Sequence, residues 1–116
     1  MTEETEWLSV PEAAERLGVP LTRVREYLRD RHLLAIRRGE NGALYLPADS
    51  IVERDGGIEP LPTLFGTLTL LADAGFSDEE AMGWLLADHE ALGESPLAAL
   101  RGGRRAFVRR LAQEMF

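Results

Sequence analysis

Apolar residues recur with a helical period along most of the chain, interrupted by two short apolar runs that are partly β-branched. Val10, Ala13, Ala14 and Leu17 fall at i, i+3, i+4 and i+7, which predicts an amphipathic helix with one buried stripe. Ser9 stands where a hydroxyl can cap that helix, and Glu12 three residues on completes a capping box. Gly18 ends the helix and Pro20 helps start the next, so "LGVP" reads as a tight connection between two helices. The second helix is predicted from about Leu21 to Arg31, burying Leu21, Val24 and Leu28 with Tyr27 at the margin. "LLAIRR" and "ALYLP" flank the turn residues "GENG" and read as a β-hairpin closed by Pro47. "ADSIVE" then predicts a short helix that returns the chain to the core.

Gly and Pro in "DGGIEPLP" mark Asp55 to Pro62 as a linker. Beyond it Leu64, Phe65, Leu68, Leu71 and Ala72 form one stripe, ended by Gly75. Ser77 with Glu80 makes a second capping box ahead of Ala81, Trp84 and Leu85. A short helix is predicted from Ser95-Pro96. A last one starts near Arg104, with Phe107, Val108, Leu111 and Met115 facing inward and Arg105, Arg109 and Arg110 facing out. The pattern predicts a mainly α protein: an acidic mobile tail over 1–6, a winged helix-turn-helix with a small hairpin wing over 7–55, a linker over 56–62 and a helical bundle over 63–116.

Composition narrows the chemistry. The 116 residues contain no cysteine, which excludes disulfides, thiolate metal sites and cysteine nucleophiles. His32 and His89 lie far apart and lack neighbours at ligand or triad spacing. "GENG" lacks the lysine of a phosphate loop, and Asp78, Glu79 and Glu80 sit at a helix N-terminus, where acids are expected on electrostatic grounds alone. No enzyme activity, metal or cofactor is expected. No apolar run reaches the ~20 residues of a membrane span, and the N-terminus is acidic, so a cytoplasmic protein is expected.

The net charge of −7 conceals a segregation. Arg16 to Arg38 holds seven arginines against Glu26 and Asp30. Asp55 to Leu100 holds nine carboxylates and no arginine or lysine, and Arg101 to Arg110 holds five arginines and no acid. Local clusters of this kind set the surface field more than the sum does. In a helix-turn-helix the second helix enters the major groove and presents its N-terminal half to base edges. Thr22, Arg23 and Arg25 are then the residues in reach of bases, with arginine able to donate two hydrogen bonds to guanine. Arg29, Arg31, Arg37 and Arg38 fall further out, where phosphate contacts set register. The alternative is that these arginines pair with the chain's own carboxylates.

"WLSVPEAAERLGVPLTRVREYLRDRHLLAIRR" resembles the MerR/excisionase-type winged helix-turn-helix family. Residues 7–116 as a whole, including "GTLTLLADAGFSDEEAMGWLL", are similar to a small actinobacterial family of DNA-binding proteins with its own C-terminal helical domain. The resemblance implies a transcriptional regulator or nucleoid-associated factor on double-stranded DNA. It also implies a substrate of a Ser/Thr protein kinase, since a mycobacterial member is one. Thr2 and Thr5 in "MTEETEW" are the candidate phosphorylation sites, where added negative charge would weaken DNA binding by repulsion. Glu40 in the hairpin tip departs from the basic wing of many excisionase-like relatives, and Asn41 reads first as a turn residue. "WLLADHEALGESPLAALRGGRRAFVRRL" resembles the C-terminal domain of antitoxins. It implies the alternative of an adaptor or homodimer acting through residues 63–116, with Trp84, Arg105 and Arg109 as contact residues.

Overall fold

A computed structural model describes residues 5–114. Strand β1 (Trp7–Ser9) runs directly into helix α1 (Val10–Leu17). The Ser9 hydroxyl accepts from the Glu12 amide at 3.2 Å, and the Glu12 carboxylate accepts from the Ser9 amide at 2.8 Å. Ala13, Ala14 and Leu17 are buried as the period predicts. Gly18 closes the helix with a φ of 71°, and its left-handed backbone makes the tight turn into α2 (Leu21–Arg29).

Helix α2 is shorter than predicted and buries less. Val24 is its one fully buried residue, Tyr27 and Leu28 are half-buried, and Leu21 is 41% exposed. It ends because Arg31 takes a left-handed backbone (φ 63°), so that the His32 amide donates to the Tyr27 carbonyl at 2.8 Å. Strands β2 (Ile36–Arg38) and β3 (Ala43–Pro47) form the hairpin, its turn built on Gly39 and Gly42 at φ of 79° and 63°. The Asn41 side chain accepts from the Ala43 amide at 3.2 Å, the turn role read for it. Strand β1 adds to the free edge of β3, giving an antiparallel sheet of order β1-β3-β2 with Trp7 opposite Pro47 and Ile36 opposite Tyr45.

Two expectations need correction. Only Ala48–Ser50 of "ADSIVE" is helical, as one 3-10 turn. β-branched Ile51 and Val52 continue as strand β4 (Ile51–Arg54). The stretch expected as a linker over 56–62 instead contains strand β5 (Gly57–Pro60), paired antiparallel with β4. Asp55 and Gly56 both have positive φ, 50° and 79°, the backbone a two-residue hairpin turn demands.

Helices α3 (Leu64–Asp73), α4 (Asp78–Leu86), α5 (Pro96–Arg101) and α6 (Arg105–Gln113) follow. Their core holds Leu64, Leu68, Leu71, Met82, Leu97, Leu100 and Val108. Phe65 and Phe107, read as inward-facing, are 44% and 55% exposed, while Ala112 takes an inner position on α6. Met115 lies outside the described residues. The core does not stop at the wing. Leu34 belongs to it, and Trp7, Ile36 and Val52 pack against it. Arg101, at the end of α5, donates to the carbonyls of Asp49 and Ile51 at 2.8 and 2.9 Å. These contacts fix the helical half directly onto the turn between β3 and β4.

Candidate nucleic-acid interface

Helix α2 carries Thr22, Arg25 and Arg29 on one face, at spacings of three and four, while Arg23 lies on the side of Glu26 and Tyr27. Thr22, Arg23, Arg25 and Arg29 are all exposed, and Arg25 has no ion-pair partner among the described residues. Arg23 donates to Glu26 at 3.1 Å and lies 5.0 Å over the Tyr27 ring. That hydrogen bond raises the Arg23 pKa and leaves its positive charge in place. Arg29 meets Asp30 at 3.3 Å, Arg31 meets Asp78 at 3.8 Å, and Arg16 meets Glu6 at 3.3 Å. The self-pairing alternative is therefore met in part. These pairs are solvent-exposed, however, and exposed pairs are worth about 0–1 kcal/mol, so a phosphate can compete for the same guanidinium.

The start of α2 differs from those of α1, α4 and α5 and is like those of α3 and α6. Ser9, Ser77 and Ser95 cap α1, α4 and α5 with their hydroxyls. Two of these caps are completed by glutamates, Glu12 and Glu80, whose pKa values are lowered by the backbone amides of Ser9 and Ser77. Helix α2 has Pro20 at this position, no side-chain cap and no acid in its first turn. Its free amides and positive dipole end are left to solvent, the arrangement that binds anions elsewhere.

The hairpin adds two more arginines, with different partners. Arg37 donates to the Gly42 carbonyl at 2.9 Å, across its own turn. Arg38 lies 4.1 Å over the Trp7 ring, a cation–π contact that depends on β1 having joined the sheet. Glu40 is exposed at the tip. At the far end of α2, Asp78 and the acidic first turn of α4 border the arginine face.

Other predicted site residues lie elsewhere. Trp84 is 8% exposed inside the core, tilted against His89 at 5.3 Å, so it is not placed to touch a partner. Arg105 and Arg109 are exposed on α6. Thr5 lies half-buried two residues before β1, and Thr2 is outside the described residues. Sequence reasoning missed Trp7 as a support for Arg38. It also missed the stack of His32 on Phe65, at 5.0 Å and 24°, which joins the end of α2 to α3. The uncapped start of α2 was visible in the sequence as proline where α1, α4 and α5 have serine.

A helix pair joined by a tight turn, followed by a hairpin wing and braced by an N-terminal strand, makes this a winged helix-turn-helix protein. Residues 1–50 match the family described as DNA-binding protein Rv2175c, wHTH domain, and residues 61–115 match the Rv2175c C-terminal domain of unknown function. The chain belongs to the Rv2175c family. The DNA-binding protein Rv2175c of Mycobacterium tuberculosis (strain ATCC 25618 / H37Rv) is 37% identical over 83 residues, covering 72% of this chain and 53% of that protein. The match thus spans about half of the relative's length. The NMR structure of Rv2175c superposes with a TM-score of 0.80 at 32% identity, covering 99% of this chain and 84% of its own.

Proposed function

We propose that the protein binds double-stranded DNA, with α2 in the major groove and the hairpin beside it, as a transcriptional regulator or nucleoid-associated factor. The observation that carries this reading is the exposed face of α2. It presents Thr22, Arg25 and Arg29, with Arg23 to one side, on a helix whose start has neither side-chain cap nor acid. Thr22, Arg23 and Arg25 read base edges, and Arg29, Arg31, Arg37 and Arg38 contact phosphates. The name of the mycobacterial relative, a DNA-binding protein, supports the same assignment.

Fluorescence anisotropy with a GC-rich duplex at several salt concentrations tests it. A handful of phosphate contacts gives a log–log salt slope of roughly −3 to −5. Arg25→Ala/Arg29→Ala is expected to lose most of the affinity, and a wild-type chain that does not bind at low salt overturns the reading. Phosphorylation of Thr2 or Thr5 by a Ser/Thr protein kinase would add close to two negative charges ahead of β1 and weaken binding. Mass spectrometry after kinase treatment is expected to find phosphate there, and a clean tail removes this part.

A second reading has its own observation. Phe107 is 55% exposed, with the guanidinium groups of Arg104 and Arg110 lying 5.4 and 5.7 Å from its ring. Such a surface suits self-association or a partner protein of an adaptor or antitoxin-like chain. Sedimentation of the full chain against Phe107→Asp tests it: a dimer that the variant dissociates supports it, and a monomer in both counts against self-association.

A further inference from the structure

Between α3 and α6 lies a cavity of about 280 Å³ that the DNA-facing helix does not use. Thr63, Phe65, Gly66 and Thr67 line it from α3 and the residue before it, and Arg105 and Arg109 from α6. The two arginines stand one helical turn apart, where like charges repel. Both are exposed, and neither has an ion-pair partner among the described residues. Both flanking helices begin without a side-chain cap and without an acid in the first turn. In the wall the Thr63 hydroxyl oxygen is buried with no hydrogen-bond partner, and Thr67 is 5% exposed.

Gly66 is the most informative wall residue. It sits inside α3 with no positive φ, so no turn requires it, and a Cβ built there meets nothing within 4 Å. Glycine inside a helix costs about 1 kcal/mol relative to alanine. Close packing does not account for it here, and its effect is to keep the cavity open. The rest of the wall is apolar: Phe65, 44% exposed, Leu70, Pro62 and Ala112.

We propose that this cavity binds a small organic anion, a carboxylate or phosphate monoester on an apolar body. Arg105 and Arg109 hold the charged head as charge-assisted donors, and Phe65 and Leu70 take the body. A phosphodiester backbone would use the arginines but leave the apolar wall unused, and the volume is near the small end for ligand pockets. The site does not depend on α2 contacting DNA.

The test is an amide ¹H–¹⁵N titration of the full chain with benzoate and with phenyl phosphate at fixed ionic strength. Saturable shifts are expected at residues 63–67, 105 and 109, and the tighter of the two probes identifies the head group. Arg105→Gln/Arg109→Gln is expected to weaken binding at least about tenfold, the loss of roughly 1.4 kcal/mol of charge-assisted contact. Gly66→Leu places a side chain in the open space, and is expected to abolish binding while the protein stays folded. Shifts that do not saturate, equal affinity in the Gly66→Leu protein, or shifts centred on α2 overturn the proposal. So does a duplex that perturbs 105 and 109, with affinity reduced by the double substitution, while both small anions leave the spectrum unchanged. In that case the arginines extend a nucleic-acid surface.

Discussion

Arg31 carries a conflict between local backbone preference and side-chain chemistry. Its left-handed backbone (φ 63°) costs a residue with a Cβ on the order of 1 kcal/mol, whereas glycine adopts it freely. Arg31→Gly should therefore raise thermal stability by up to about 1 kcal/mol. If Arg31 contacts phosphate, the same change should weaken DNA binding and shorten the salt slope by roughly one unit. Denaturation and anisotropy on one sample check both, and an unchanged affinity takes Arg31 off the interface. Gly83 offers a simpler case: it is exposed inside α4, and a Cβ there meets nothing within 4 Å. Gly83→Ala should stabilise by about 0.5–1 kcal/mol without touching binding. At this scale the sequence made the arginine positions legible, because charged residues rarely go inside. It misplaced Leu21, Phe65 and Phe107, because periodicity gives the direction of an apolar stripe and not how much of it a neighbour covers.

The helices were legible where they carry their own start and stop signals. Ser9 with Glu12, Ser77 with Glu80 and Ser95-Pro96 each mark an N-terminus that the structure keeps. Ser77→Ala should cost about 1 kcal/mol, measured by chemical denaturation, because the Glu80 amide then loses its 3.1 Å partner. The capping glutamates also give a pH dependence of definite sign. Glu12 and Glu80 have lowered pKa values in the folded chain, so their contribution is fully present above the ordinary glutamate range. It is lost as pH falls through the lowered folded values. Glu12→Gln/Glu80→Gln keeps an oxygen for each cap and should flatten the acid limb of a melting-temperature profile. The strands were harder to read. Asp55-Gly56 is a strong hairpin signal, but the strand after it contains only four residues, two of them Gly57 and Pro60, and so resembles a tether. Strand β1 has three residues and exists because β3 offers a free edge, which no local pattern announces. The arginine face of α2 was legible without it, whereas the Trp7 support for Arg38 was not.

Across the whole molecule, Arg101 ties together segments some fifty residues apart in sequence. Trp84 lies inside the core of the helical half and Trp7, in β1, leans on that core from the first half, so single-tryptophan variants follow the helical half and the boundary between the halves in denaturant. The wild-type midpoints are expected to coincide. Arg101→Ala removes two charge-assisted bonds, one exposed and one part-buried, and should cost about 1.5–3 kcal/mol, separating the two midpoints if the clamp is what couples them. Coincident midpoints in that variant would assign the coupling to the shared apolar contacts instead. Those contacts bear on how such a chain can be taken apart. The first fifty residues match a family of their own, yet Leu34 is buried among side chains of the second half, and Trp7 and Ile36 lean on the same group. A graft of that segment onto another scaffold would carry a bare apolar flank with it and favour aggregation. The portion that can be transplanted intact is longer than the portion that can be aligned.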